Sequence, residues 1–475
     1  MSIKTAAIIG GGVIGGGWAA RFLLNGIDVN LFDPDPESTR KIGEVLDNAR
    51  RSLPALLDSS VPTEGKLTHV ATIAEAVADA DWIQESVPER IEIKHKVFAE
   101  IQANCKADAL IGSSTSGFKP SELQEGAANP DQIFVAHPFN PVYLLPLIEL
   151  VGNQRTCERA KSALEPIGLK PLIVRQEIDA HIADRFLEAV WREALWLIKD
   201  GVATTEEIDD AIRFGFGLRW AQMGLFETYR VAGGEAGMKH FIAQFGPCLS
   251  WPWTKLMDVP ELTDDLVDTI ANQSDEQSGM HTIRELERIR DDNLVTIMRG
   301  LKARNWGAGK ILAEHEARTK PALPSDYTKP LRTLERVIPI DWTDYNGHMN
   351  ESRYGQVFSD AGDVVMCMIG ADADYIASGL SYFTVENVIQ FRNETHPGEK
   401  IYVNTQVLQA EGKKLRMYHE MCREDGELLC TCNQLLVHVS LETRRSCEPG
   451  PEMANKMKAL HDAQTALSKP ASMRD

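Results

Sequence analysis

The run Gly10-Gly-Gly-Val-Ile-Gly15 stands between an apolar stretch, Ala6 to Ile9, and a segment of helical character, and it constrains the fold more than any other feature of the chain. A glycine loop that ends a strand and opens a helix is the first turn of a βαβ unit. Its glycines let the backbone bend tightly and approach a pyrophosphate, whose charge settles at the helix N-terminus. A second strand, Asp28-Val-Asn-Leu-Phe-Asp33, ends in an acid about 20 residues past the loop, where a carboxylate bonds the adenosine ribose hydroxyls and repels a 2′-phosphate. The spacing predicts a Rossmann-type parallel sheet that takes NAD rather than NADP, with Gly10, Gly12, Val13, Ile14, Gly15 and Asp33 at the cofactor.

The rest of the chain divides by rhythm. From Lys4 to about Gln176, short apolar runs at Val29–Phe32, Trp82–Gln84, Leu110–Ser113 and Ile133–Ala136 alternate with helical stretches, as in a parallel sheet covered on both faces. From Ala180 to about Lys310 the pattern is helical only. The stretch 319–330 holds three prolines and little apolar material, which suits a linker. Beyond it a strand, a helix from about Ser352 to Ile369, and four alternating runs with turn signals at Gly412 and Gly426 predict an antiparallel sheet wrapped on one long helix. The expected layout is an α/β domain over 1–179, an all-α substrate or dimerisation domain over 180–318, an α+β domain over 331–445, and a polar, mobile or loosely helical tail over 446–475.

Composition bounds the partners. A net charge of −19 argues against nucleic acid and anionic membrane surfaces and mildly favours a cationic small molecule. Eight cysteines, with only Cys430 and Cys432 close together, fit neither a disulfide framework nor a zinc knuckle, so a reducing cytoplasm and no metal are expected. No apolar run approaches the roughly 18 residues that a membrane-spanning helix needs.

Oxidising a secondary alcohol with NAD requires a base for the hydroxyl proton, and a histidine suits the task because its ordinary pKa of about 6.5 lies near working pH. His137 follows the strand run Ile133–Ala136, at the carboxyl edge where open α/β sheets bind ligands. Glu149 can fix its tautomer, and Ser116, after an earlier strand, can donate to the substrate oxygen. The order of glycine loop, Ser116, His137-Pro-Phe-Asn-Pro141 and Glu149 resembles the L-3-hydroxyacyl-CoA dehydrogenase family over roughly residues 3 to 310. The intervals of 137 − 116 = 21 and 149 − 137 = 12 match that family's pattern. The resemblance implies His137 as base, Glu149 as its partner and Ser116 as the substrate-contacting hydroxyl, with Glu89 and Lys94 as further cofactor contacts.

One departure carries information. The family usually places an asparagine before the arginine that opens the long helix of its second domain, and this chain has Asp184-Arg185. An aspartate favours a cationic substrate. The following stretch is rich in aromatics, including Trp191, Trp196, Phe214, Trp220, Phe226, Trp251 and Trp253. Most of these read as helix-packing core. A subset with Tyr143 can form a box for a quaternary ammonium, where cation–π attraction contributes about 0.5 to 2 kcal/mol. Tyr143, Asp184, Trp191 and Trp253 are therefore the substrate-binding candidates, and the pattern resembles the branch of the family that oxidises L-carnitine without CoA.

In Asp341-Trp-Thr-Asp344-Tyr-Asn-Gly347-His348-Met-Asn350 an acid precedes a glycine turn and a helix whose N-terminus faces back to the turn. Such a helix end stabilises a developing oxyanion, while Asp344 acts as base toward water or as nucleophile on a thioester. The motif and its surroundings resemble the 4-hydroxybenzoyl-CoA thioesterase type of hotdog domain over 331 to about 445. That resemblance implies a catalytic Asp344, with Gly347, His348 and Asn350 shaping the turn or contacting substrate. Together the two resemblances imply oxidation of L-carnitine joined to hydrolysis of betainyl-CoA, in a homodimer. The competing expectations are an L-3-hydroxyacyl-CoA dehydrogenase with an appended acyl-CoA thioesterase, an L-gulonate-type dehydrogenase, and a protein that binds NAD without turnover.

Overall fold

The fold is given by a computed structural model that describes residues 3–473 apart from 59–60, 233–236, 247–251, 256–260, 262, 279 and 320. The chain forms two compact units, one of Met1–Leu53 with Pro62–Arg318 and one of Pro54–Val61 with Thr319–Asp475.

The first unit holds an eight-stranded sheet of β1 (Thr5–Ile9), β2 (Asp28–Phe32), β3 (Leu67–His69), β4 (Trp82–Glu85), β5 (Leu110–Ser113), β6 (Ile133–Pro138), β7 (Leu147–Val151) and β8 (Lys170–Ile173), in the order β3-β2-β1-β4-β5-β6-β7-β8. Neighbours pair in parallel except β6 and β7, which are antiparallel. β1 and β4–β6 are almost wholly buried, which is why they read as continuous apolar runs rather than as alternation. The helix after the glycine loop, α1 (Val13–Leu23), is fixed to the sheet by buried aromatics. Trp18 lies 6.0 Å from Trp82 of β4, and Trp82 meets Phe134 of β6 edge-on at 5.6 Å. Each such side chain contributes roughly 1.5 to 3 kcal/mol by burial, so the loop at the head of α1 rests on a rigid base.

After β8 the chain is helical, beginning with α2 (Ala183–Lys199). Aromatics of the stretch read mostly as core are at the surface of the single chain: Trp191, Phe214, Trp220, Phe226 and Trp253 are exposed. Periodicity marks a helix face as apolar without saying whether its partner is the same chain. Trp251 lies outside the described residues.

In the second unit β9 (Leu331–Val337), β10 (Leu380–Phe391), β11 (Lys400–Glu411), β12 (Lys414–Arg423) and β13 (Leu428–Ser440) form an antiparallel sheet in the order β10-β13-β12-β11-β9. The helix α3 (Glu351–Ile369) buries Tyr354, Val357, Phe358 and Ala361 in one core with Ile401, Val403 and Met421, a hotdog arrangement. The tail departs from expectation. Its residues Pro451–Thr465 form a helix, α4, that buries Met453, Met457 and Leu460 with Val407, Leu415 and Met417. The spacing of those three residues makes one apolar helical stripe inside a polar sequence. Gln464 on α4 donates to the carbonyls of Tyr327 and Lys329 at 2.7 and 2.9 Å, tying in the proline-rich stretch as well.

Candidate active sites

β6 and β7 place His137 and Glu149 directly opposite each other. Directly opposed residues put their side chains on the same face of the sheet, where they meet. The Nδ1 of His137 stands 3.1 Å from Oε2 of Glu149. A carboxylate only accepts, so Nδ1 carries the proton and Nε2 presents its lone pair. That Nε2 is 3.3 Å from Oγ of Ser116 and 3.5 Å from Oδ2 of Asp184.

Glu149 is fully buried, and its second oxygen accepts the Ile182 and Ala183 amides, at 2.9 and 3.1 Å, where α2 begins. Burial raises its pKa, but the bonds from His137 and the two amides outweigh that and hold the carboxyl below the usual range. The same carboxylate thus orients the histidine and anchors the helix that delivers Asp184.

His181 was not singled out by sequence reasoning. It is fully buried, its ring centroid is 5.4 Å from that of His137, and Nε2 lies 3.3 Å from the carbonyl of Thr115, so Nε2 donates. Burial and the neighbouring His137 lower its pKa. Ala180 and His181 both adopt left-handed backbone, at φ 59° and 50°. A left-handed residue other than glycine costs of order 1 to 2 kcal/mol, and such strain clusters at functional sites. No spacing rule marks such a residue, because only the folded chain lays it on His137.

The glycine loop fits a dinucleotide. A Cβ on Gly15 would lie 1.8 Å from the Gly10 carbonyl oxygen, one on Gly10 would lie 2.6 Å from that of Ser86, and one on Gly12 would meet nothing within 4 Å. Gly10 and Gly15 therefore make the tight turn and Gly12 leaves room for an approaching pyrophosphate. Val13 and Ile14 open α1, whose first turn has no acidic residue and whose N-cap makes no side-chain hydrogen bond, leaving amides for an anion. Asp33 accepts the Gly11 amide at 2.5 Å and stands at the end of β2, beside the loop.

Glu89 takes the Gly117 amide at 3.2 Å and the hydroxyl of Thr115, which fixes its carboxylate after β4. Burial raises its pKa, and these bonds together with Lys94 bring it below the ordinary value. Lys94 corrects an expectation. It is 1% exposed, and its ammonium is taken up by Glu85 at 2.9 and 3.1 Å and Glu89 at 3.1 Å. It holds Glu89 in place from beneath instead of facing a cofactor.

Among the substrate candidates the structure brings only Asp184 to His137. Tyr143 is buried and donates its hydroxyl to Oδ2 of Asp291 at 2.7 Å; burial and that carboxylate push its pKa well up. A ring committed in this way is interior packing and does not form the expected box. Trp191 and Trp253 are 58% and 66% exposed in the single chain.

In the second unit Asp344 closes its own turn: Oδ1 accepts the Asn346 amide at 2.9 Å, and its carbonyl accepts the amide of Gly347, whose φ is +79°. Asn350 is the N-cap of α3, accepting from the Ser352 amide at 3.0 Å. Gly347 and Asn350 therefore shape the turn. Asp344, His348, Tyr354, Phe391 and Arg423 line one cavity of about 650 Å³. Burial, then nearby Cys430, Glu394, Glu399 and Asp344, push the Tyr354 phenol up to about 12.

Comparison with known proteins agrees with this division. Residues 5–177 match the 3-hydroxyacyl-CoA dehydrogenase NAD binding domain, 181–270 that family's C-terminal domain, and 338–457 the thioesterase-like superfamily. A protein of Ruegeria pomeroyi named L-carnitine dehydrogenase/betainyl-CoA thioesterase is 66% identical, covering 98% of this chain and 98% of its own. A Mesorhizobium japonicum protein named L-carnitine dehydrogenase is 60% identical over 71% of this chain and 92% of its own length. Among solved structures, a 5-formyl-3-hydroxy-2-methylpyridine 4-carboxylic acid 5-dehydrogenase, described as an NAD+ dependent dismutase, is 25% identical with a TM-score of 0.54, covering 63% of this chain and 99% of that one. With a full-length match of this strength and both halves matched by their own domain families, the chain belongs to the L-carnitine dehydrogenase/betainyl-CoA thioesterase family.

Proposed function

We infer that the chain oxidises L-carnitine to 3-dehydrocarnitine with NAD in its first unit and hydrolyses betainyl-CoA to glycine betaine and CoA in its second. The observation that carries the first activity is the buried His137–Glu149 pair with Asp184 at its open nitrogen. When bound, NAD would supply the acceptor for the hydride of the alcohol carbon. Nε2 of His137 takes the hydroxyl proton, Glu149 stabilises the resulting imidazolium through Nδ1, and Ser116 donates to the substrate oxygen. The carboxylate of Asp184 supplies the negative charge that a trimethylammonium substrate calls for, which favours carnitine over an acyl thioester. Gly10, Gly12, Val13, Ile14, Gly15, Asp33 and Glu89 hold the cofactor, with Lys94 behind Glu89.

In the second unit Asp344 activates water toward the thioester carbonyl. Water's oxygen bonds to the carbonyl carbon as Asp344 takes its proton, the positive N-terminal end of α3 stabilises the developing oxyanion, and the C–S bond breaks as the thiolate leaves and recovers the proton as CoA. We also propose a homodimer. Phe186, Leu187, Val190 and Trp191 make an exposed apolar face on α2, and Phe383 and Val388 lie exposed together on one face of β10. Uncovered faces of this kind mark interaction surfaces.

The deciding experiment follows NADH absorbance with L-carnitine, D-carnitine, L-gulonate and a short L-3-hydroxyacyl-CoA, then CoA release from betainyl-CoA by wild type and Asp344→Ala. Turnover of L-carnitine alone, with CoA release lost and NADH production intact in the variant, supports the reading. Preference for the acyl-CoA would return the chain to the parent dehydrogenase chemistry.

A further inference from the structure

The loop after β10 and the turn before α3 are bound to each other. The Met349 amide donates to the Thr395 carbonyl at 2.8 Å, and Glu399 fixes the loop by accepting from the Thr395 hydroxyl and the His396 amide at 2.8 and 2.9 Å. Arg423, itself paired with Glu427 and Glu399, donates to the Glu394 carbonyl at 2.9 Å. This braced backbone brings together His348, Glu394 and His396, each offering one ligand atom within 4.8 Å of the others.

The nitrogens and oxygens in this cluster do not pair as hydrogen bonds. Nδ1 of His348 is 3.5 Å from Oε2 of Glu394, and Nε2 of His396 is 3.8 Å from Oε1. Both exceed the 2.7 to 3.2 Å of an ordinary N–H···O bond. The His348 separation matches the about 3.3 to 3.5 Å between two ligands bound to one tetrahedral ion at about 2.0 to 2.2 Å, while that of His396, to the other carboxylate oxygen, is slightly longer. The tautomer of His396 points the same way. Its Nδ1 lies 3.3 Å from the Gly347 carbonyl oxygen, which only accepts, so Nδ1 donates there and Nε2 is the ring atom that faces the carboxylate. A histidine that donates its far nitrogen to a backbone carbonyl is the usual support of a metal ligand.

We propose that His348, Glu394 and His396 bind one divalent transition-metal ion of the zinc class, at the edge of the cavity that Asp344 lines. The two histidines and one carboxylate suit a borderline cation, and a three-ligand set leaves a coordination position open. The set was invisible in the sequence because 394 − 348 = 46 residues separate its two parts, a distance closed only by the pairing of Met349 with Thr395. The proposal stands independently of the thioesterase reading.

The test titrates the chelator-treated full-length protein with Co2+ alone, following its visible d–d absorption, and repeats the titration with Zn2+ by calorimetry. Wild type should bind one ion per chain with a visible band. His396→Ala and Glu394→Gln should each weaken binding at least tenfold, while Asp344→Asn should bind as wild type does. Circular dichroism of the two variants confirms that they fold, since all three ligands are at least partly exposed. Absence of the band in wild type, or binding unchanged in both variants, overturns the proposal and leaves the cluster as a contact of two histidines with a carboxylate.

Discussion

His137 and Glu149 are direct cross-strand partners in the β6–β7 pair, and Glu149 spends its remaining oxygen on the amides of Ile182 and Ala183. One carboxylate therefore sets the histidine's tautomer and the entry of α2. In Glu149→Gln the amide keeps one accepting oxygen and turns an NH2 toward a donor, either His137 Nδ1 or the helix amides. We expect kcat for alcohol oxidation to fall by about 10² to 10⁴, the range for losing general base assistance, while the Kd for NAD, read by fluorescence, stays within a factor of a few. The variant should also change acid sensitivity. A carboxyl depressed in the fold stabilises it above its unfolded value, near 4.5, and that stability is lost as pH falls through the lower folded value. Wild type should thus lose urea resistance below about pH 4.5 more steeply than the variant.

This pair also shows what a sequence can and cannot disclose. The interval from His137 to Glu149 was legible as chemistry, but their register was not, because nothing in the residues between them states that β7 turns back against β6. The glycine loop was legible because each of its glycines answers a local steric need. Lys94 is a cofactor contact by family resemblance, yet a resemblance cannot show that Glu85 takes up its ammonium underneath. The aromatics mislead in a similar way: apolar content reads as core, and the fold leaves Phe214 and Phe226 at the surface of the single chain. The tail's Met453, Met457 and Leu460 were overlooked because three apolar residues in a polar stretch become a stripe only once the helix forms.

Gly15 has no room for a side chain, since a Cβ there would sit 1.8 Å from the Gly10 carbonyl oxygen. Backbone has to move to admit it. Gly15→Ala should therefore weaken NAD binding at least a hundredfold by calorimetry. CoA release by the second unit should remain at the wild-type rate, because Gly15 belongs to the first unit. Equal loss of both activities in a folded protein would contradict two separate sites.

Asp184 puts a carboxylate oxygen 3.5 Å from the open nitrogen of His137. If its charge selects a cationic substrate, Asp184→Asn should lower kcat/KM for L-carnitine at least tenfold, about 1.4 kcal/mol. Turnover of 3-hydroxy-5,5-dimethylhexanoate, which replaces the ammonium nitrogen by carbon, should change by less than threefold. A parallel fall for both substrates would assign Asp184 to holding His137 and not to charge recognition.

The second unit carries its own pH dependence in His419, which is fully buried between Thr405 and Gln434. Its Nδ1 lies 2.8 Å from the Thr405 hydroxyl and its Nε2 3.2 Å from Oε1 of Gln434. The amide oxygen only accepts, so Nε2 carries the proton and Nδ1 accepts from the threonine, satisfying the ring in its neutral form. Burial drops its pKa from 6.5 to about 4, against a smaller opposing effect of Gln434. Above the unfolded value near 6.5 neither state binds a proton here and stability is undiminished. As pH falls from 6.5 toward 4 the unfolded chain gains a proton that the folded ring refuses, so the unit loses stability at about 1.4 kcal/mol per pH unit, or about 3 kcal/mol in all. His419→Gln keeps a hydrogen-bonding side chain at that site but has no proton to gain. In urea melts followed by the CoA-release activity, the wild-type midpoint should drop between pH 7 and pH 4.5 and the variant's should drop less. A variant with the same slope as wild type would move the pH response to another group in the unit.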